Sequence, residues 1–156
     1  MMRWLACRIP PPLLALLCAW GMALAARRWP QWPLSLPEGV SLVVSGGLLL
    51  LAVWLEGSAV WAFVRRRTTL SPLQPQRSSQ LVVSGFYRFS RNPMYLGMLC
   101  LLLAWGMWLG QAVALAGPLL WGLWIDRLQI VPEERALRAR FGDAYAAYCQ
   151  RVRRWL

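Results

Sequence analysis

Long apolar runs, separated by clusters of arginine, are the feature that most limits how this chain can fold. Of its 156 residues, 58% are hydrophobic and eleven are Trp, and the mean hydropathy is +0.43. A chain this short holds one domain, and a soluble domain of that composition would have little polar surface left to face water. The pattern predicts an all-α fold: a polytopic membrane helical bundle of about four transmembrane helices with a C-terminal amphipathic helix.

The expected spans follow from the runs. Leu13 to Ala26 lies between the Pro10-Pro11-Pro12 stop and Arg27-Arg28. Its basic start, with Arg3 and Arg8, resembles a signal peptide, but no convincing cleavage site precedes a soluble domain and further spans follow, so a retained helix is expected. After a loop from Arg28 to Pro37 with Trp29 and Trp32 at the interface, Val40 to Val64 is long enough to cross a core of about 30 Å. This second run contains Glu56, an ionisable group at membrane depth that calls for a partner or a function, and it ends at Arg65-Arg66-Arg67. Residues 65–93 carry six arginines and no acid, with Pro72, Pro75 and the polar stretch Gln74 to Gln80, and read as a cytoplasmic loop by the positive-inside rule.

Met94 to Ile125 carries no charge and would be about 48 Å long as one helix, too long for a bilayer. Gly110-Gln111 near its middle, with Gly117-Pro118 beyond, predicts a hairpin of two spans, 94–109 and 112–131, with Asp126 and Arg127 near its end. Gly46-Gly47 reads as a helix-packing face, and the Gly106 and Gly110 pair as ordinary close packing. Four spans place both termini and the arginine loop on one side, the cytoplasm.

All seventeen basic residues are Arg, the net charge is +11, and there is no His. This usage suits a genome rich in G and C, and so a bacterial inner membrane. The charges lie between hydrophobic runs, where they orient the chain and meet anionic lipid; no nucleic-acid partner is expected. Cys7, Cys18, Cys100 and Cys149 form no CxxC pair. Without imidazole no metal site is expected, and the cysteines read as small buried apolar residues. Any chemistry must also proceed without a histidine base.

The tail, 132–156, is of another kind. Pro132-Glu133-Glu134 reads as a helix opening. Leu137, Phe141, Tyr145, Tyr148, Val152 and Trp155 then recur at helical spacing, with Gly142 as a candidate kink. Because a hairpin brings its ends together, the segment Tyr87-Arg88 through Arg91-Asn92-Pro93-Met94-Tyr95 should meet Glu133-Glu134, Arg135 and Arg138. Such a cluster could equally be a set of lipid-headgroup anchors and an exposed salt bridge, worth about 0–1 kcal/mol.

The pattern Gly85-x-Tyr87-Arg88-x-x-Arg91-Asn92-Pro93-x-Tyr95-Leu96-Gly97, followed by Glu133-Glu134-x-x-Leu137-x-x-x-Phe141-Gly142-x-x-Tyr145-x-x-Tyr148, resembles the isoprenylcysteine carboxyl methyltransferase family and its bacterial relatives, which are related to phospholipid N-methyltransferases. The resemblance covers roughly Thr68 to Leu156. It implies methyl transfer from S-adenosylmethionine, bound on the cytosolic side beneath the C-terminal segment, to a lipid-like or prenylated acceptor that enters from the membrane lipids. It implies catalytic roles for Arg91, Asn92, Glu134 and Arg138, and cofactor binding by Tyr87, Asn92, Pro93, Tyr95, Leu96, Glu133, Glu134 and Tyr145. Family members commonly have His just before the motif proline; Asn92 stands there in this chain, able to hydrogen-bond but not to titrate. A carboxylate acceptor needs no base, which tilts the expectation toward O-methylation.

Two rival readings stand beside this one. Sterol and steroid reductases look similar in their C-terminal hairpin and would use NADPH, which the cytoplasmic arginines could accommodate. A non-catalytic membrane scaffold of the same fold would keep the helices without turnover.

Overall fold

The computed structural model describes residues 9–66 and 81–156. The basic start with Arg3, Cys7 and Arg8, and the stretch 67–80 of the expected loop with Pro72, Pro75 and Gln74 to Gln80, lie outside the described residues. The described residues are helical, with no strand beyond two isolated bridges. They form α1 (Pro11–Arg28), α2 (Glu38–Arg66), α3 (Pro93–Leu109), α4 (Ala116–Ile125) and α5 (Val131–Arg151). Short 3-10 turns at Gly85–Arg88 and Ala112–Leu115 precede α3 and α4.

Local chemistry sets these boundaries. Pro11 occupies the first turn of α1, where its missing N–H costs nothing, and Arg27 and Arg28 sit in the last turn beside the free carbonyls. Pro93 opens α3 in the same way, and Gly110 closes it in the left-handed conformation (φ 65°), turning the chain back at the expected hairpin. That turn is stapled to the α1–α2 loop by backbone hydrogen bonds: Leu34 N–H to the Gly110 carbonyl (2.9 Å) and Ala112 N–H to the Trp32 carbonyl (2.8 Å). The two loops thus share one end of the bundle, as an up-and-down arrangement requires.

α3 is the central helix, packed against α1, α2 and α4. Its glycines admit the neighbours. A Cβ at Gly97 would lie 2.7 Å from Glu56 Cγ and 3.3 Å from the Ala52 carbonyl oxygen; one at Gly106 would lie 2.9 Å from Leu115 Cδ2. Ala52, Leu55, Ala59 and Ala62 of α2 are buried, whereas Leu50, Val53, Trp54 and Trp61 are exposed. Small residues inward and large apolar residues outward is the arrangement of helices that pack within lipid. Met22, Tyr95, Met98, Leu102, Trp121, Ile125 and Ile130 form the main core at the junction of α1, α3 and α4.

Two expectations need correction. Gly46 and Gly47 have nothing within 4 Å of a Cβ, so they form no packing face among the described residues. Gly110 serves the turn, and Gly106 alone makes the close approach. The tail helix α5 opens as expected, at Val131 with Pro132, Glu133 and Glu134 in its first turn, but not from a free end. α4 runs through a π turn at Asp126–Ile130 directly into α5, and the Val131 N–H donates to the Asp126 carbonyl. The wider turn absorbs a proline that has no N–H for the preceding turn. The break falls instead at Gly142 (φ 49°, ψ −123°), where a kink was expected. Beyond Arg151 the chain is no longer helical: Val152 is extended (φ −126°, ψ 129°).

One helix is long and apolar enough to cross a membrane among the described residues, the 25-residue stretch Glu38–Ala62, whose most apolar 18 residues have mean hydropathy 1.9; the apolar Pro93–Leu109 is shorter.

Candidate active site

The two motifs meet where α3 begins and α5 follows the π turn. The Tyr95 hydroxyl donates to Glu133 Oε1 (2.7 Å), and the Gln129 amide donates to the same oxygen (2.7 Å). Arg91 Nη1 stands 3.1 Å from Glu134 Oε1 and 2.7 Å from the Cys149 sulfur. Arg154 grips Glu134 with two nitrogens, Nε to Oε1 (3.1 Å) and Nη2 to Oε2 (2.7 Å), and reaches Asp126 with Nη1 (3.2 Å). The expected meeting of 91–95 with 133–134, about forty residues apart in sequence, is present.

The two adjacent acids have different surroundings. Glu134 lies between two guanidiniums, and the forked contact from Arg154 is the strong geometry for a carboxylate. Glu133 has no cation at its oxygens among the described residues. Burial pushes its carboxyl up to about 7, the Tyr95 and Gln129 hydrogen bonds pull it back in part, and Glu134 adds to the rise. Glu133 can therefore change protonation near neutrality. A buried carboxyl raised in this way, beside a second acid held by arginines, is a frequent sign of a chemical site.

Asn92 donates its side-chain amide to the Arg154 carbonyl (3.0 Å), and its backbone N–H reaches the Ser90 hydroxyl (3.1 Å). Its side chain therefore anchors the C-terminal segment. The backbone continues this anchoring: Ser90 and Arg153 form a parallel bridge, and the Arg91 N–H donates to the Arg153 carbonyl (3.0 Å). Pro93 is buried at the start of α3, and Leu96 packs beside Ala52, Leu55 and Cys100.

Tyr87, Tyr95 and Tyr145, expected to present faces to adenine or to a cation, are all buried. Tyr87 packs with Ala59, Ala62 and Val82, and its carbonyl accepts the Tyr148 hydroxyl (2.7 Å). Tyr145 leans on Tyr148, ring centroids 6.1 Å apart. Burial first, then Glu134 and Cys149, push the Tyr145 phenol up, against a smaller opposing effect of Arg91. These tyrosines form the floor of the site. The apolar stripe of the tail, with Leu137 and Phe141, packs around Tyr145, Tyr148 and Val152 and against Leu81 and Val83.

Arg138 is not brought to the cluster. Its side chain is exposed on α5 and makes no ion pair or hydrogen bond among the described residues, and Arg88 and Arg135 are exposed as well. Glu56 does not pair with an arginine among the described residues. It packs on Gly97, and its Oε1 is buried without a hydrogen-bond partner there. Cys149, read as a small apolar residue, is a polar member of the cluster. Arg154, Gln129 and Ser90 were not anticipated, and Asp126 was expected only at a boundary. Gln129 and Asp126 lie one and two turns before Glu133 on the same helical face, a spacing that could have suggested them; nothing local distinguishes Arg154 from its arginine neighbours. No group of three His, Cys, Asp or Glu able to hold a metal ion occurs among the described residues.

Residues 40–144 match the phospholipid methyltransferase family. The chain belongs to that family. Beyond it, an uncharacterized protein of Haemophilus influenzae is 49% identical over 63 residues, 40% of this chain and the whole of that protein. The protein-S-isoprenylcysteine O-methyltransferase of Schizosaccharomyces pombe is 28% identical over 127 residues, 80% of this chain. The chain spans about half the length of that yeast relative, 53%. No solved structure matches. The resemblance read from the two motifs thus agrees with both kinds of relative, and the site just described is that of a phospholipid methyltransferase family member whose family match ends at 144, before the segment that carries Arg154.

Proposed function

We propose that this chain is an integral membrane, S-adenosylmethionine-dependent methyltransferase acting on a lipid-like or prenylated acceptor. Its α1, α2, α3 and the 112–131 segment span the bilayer of a bacterial inner membrane, and both termini and the site lie on the cytoplasmic side. The observation that carries the reading is the joining of the two motifs by the Tyr95–Glu133 and Arg91–Glu134 contacts. Family membership and the yeast relative support it.

The donor set suits the cofactor. An ammonium and ribose hydroxyls want carboxylate acceptors, which Glu133 and Glu134 supply, and an amino-acid carboxylate wants a guanidinium fork. Bound there, S-adenosylmethionine would supply a methyl group on a sulfonium, ready for displacement. The chain's own work is alignment, which supplies much of the acceleration in such a reaction. Pro93 and the Asn92 clamp fix the start of α3, and the buried tyrosines hold α5 against it. A carboxylate acceptor is nucleophilic as it stands, so O-methylation makes the least demand on the site. Glu133 would serve as base for an acceptor that must lose a proton.

Titration calorimetry of the protein in lipid nanodiscs with S-adenosylmethionine and with NADPH tests the reading. Binding of S-adenosylmethionine alone, lost in Glu133→Ala/Glu134→Ala, is the expected result. Binding of NADPH would move the protein to the reductases, and binding of neither would leave the scaffold reading.

A further inference from the structure

The last five residues form a strap across the site. After Arg151 the chain leaves the helix, and its backbone is fastened to the 90–92 segment by the Ser90–Arg153 bridge, the Arg91 N–H and the Asn92 side-chain amide. Trp155 packs against the main core. The backbone of residue 154 is therefore held in place, while its side chain is the part that reaches out. The Arg154 guanidinium bonds four carboxylate oxygens, both of Glu134 and both of Asp126.

Two arginines touch the acids, and they differ in freedom. Arg91 is 15% exposed at its side chain and is pinned by Cys149 and Glu134, whereas Arg154 is 33% exposed. Around Glu134 and Asp126 the charges balance, two acids against two guanidiniums. A zwitterionic amino-acid group inserted between Arg154 and Glu134 preserves that balance. Its carboxylate faces the guanidinium, its ammonium faces the glutamate, and no charge is left uncompensated, which is the condition for burying ions at tolerable cost.

We propose that Arg154 is the cofactor-carboxylate residue of this site: its guanidinium, latched on Glu134 and Asp126, exchanges Glu134 for the carboxylate of S-adenosylmethionine while the cofactor ammonium takes its place at Glu134. The proposal rests on the functional reading above. It assigns a role to a residue beyond 40–144, the stretch that matches the family. It also explains why the strap is tied down by its backbone, since an anchored Cα lets the side chain swing without losing its aim.

The test compares two ligands in nanodiscs by calorimetry: S-adenosylmethionine and its decarboxylated analogue, which keeps the sulfonium, adenine and amine but lacks the carboxylate. Losing a forked, charge-assisted contact weakens binding by about 10–100-fold. Arg154→Ala should show that loss for S-adenosylmethionine and no more than a small change for the decarboxylated analogue. Arg154→Lys, which keeps the charge but not the fork, should show the same selectivity at smaller size and serves where the alanine variant does not fold. Arg153→Ala, which removes a charge from the same strap, should leave both affinities unchanged. Equal loss for both ligands, or no loss for either, overturns the assignment and leaves Arg154 as a structural clamp. A wild-type protein that binds neither ligand overturns the methyltransferase reading itself, and the assignment falls with it.

Discussion

α3 presents two faces that do different work. Tyr95 and Gly97 are two residues apart, about 200° around the helix, and so point to opposite sides. Toward α2, Gly97 has no side chain, and Ala52 and Glu56 fill the space a Cβ would need. Toward α5, Tyr95 carries a hydroxyl that ends on Glu133 at 2.7 Å. The first face selects for size, and almost any helix with small residues in that register could answer it. The second selects for hydrogen-bonding and charge, and few sequences could. The part of the chain that packs and the part that meets the candidate site are thus carried by neighbouring residues of one helix.

The largest effect should come from spoiling the packing face. Gly97→Val places its Cβ at 2.7 Å from Glu56 Cγ and close to a backbone carbonyl that cannot yield as a side chain can. Overpacking of this kind costs about 3 kcal/mol. Thermal unfolding in detergent should show that loss, while the fraction that remains folded should bind S-adenosylmethionine with unchanged affinity. A folded variant with weakened binding would mean that the two faces are coupled, and the comparison would fail.

Next in size is a pH dependence confined to the polar face. The Glu133 carboxyl, raised from an ordinary 4.5 to about 7, holds its proton more tightly folded than unfolded. The unfolded chain then binds fewer protons between those values, so stability is greatest below about 4.5, falls as pH rises toward 7 and levels off above it. The fall should amount to about 3 kcal/mol. Glu133→Gln, which cannot ionise, should lose this component, so the difference between the variant and wild type should grow from pH 4 to pH 8 in the variant's favour. A constant difference would show that Glu133 titrates normally.

The sequence made the polar face legible in outline because it rests on topology. A 32-residue apolar run must fold back, and folding back brings residues 91–95 to 133–134 whatever the details. Gly110 marked the turn and Gly142 the kink, since each supplies a positive φ that other residues adopt at a cost. Pro132 marked the opening of α5, but not the π turn before it, because a proline at a free helix start and a proline behind a π turn look alike in sequence. Arg138 was expected at the site from the topology and the resemblance, yet a residue a turn beyond Glu134 on α5 can face solvent as easily as a ligand. Arg154 was missed for the converse reason. It reaches Glu134 across twenty residues through a strap whose path depends on the Ser90 and Asn92 contacts, and no periodicity announces such a path. Gly97 lay inside the quoted motif, but the side chains that make it necessary belong to α2.

The smallest effect, and the finest division between the faces, concerns the Tyr95 hydroxyl alone. Tyr95→Phe keeps the ring in the main core beside Met98 and Trp121 and removes one oxygen. The direct loss is that of a single hydrogen bond to a group that can be charged, about 1–2 kcal/mol. The more specific consequence lies in the titration. The Tyr95 bond favours the ionised carboxylate and opposes the rise caused by burial. Without it the Glu133 carboxyl should move above about 7, and the pH at which the stability curve levels off should move up with it. The α2 face should register nothing: unfolding of Tyr95→Phe at pH 4, where Glu133 is protonated in either protein, should differ from wild type by less than at pH 8. At pH 8 the wild-type carboxylate is mostly ionised and uses that donor most. If the deficit were the same at both pH values, the hydroxyl would be contributing to packing alone. Tyr95 would then belong with Gly97 as an architectural residue rather than with the acid it touches.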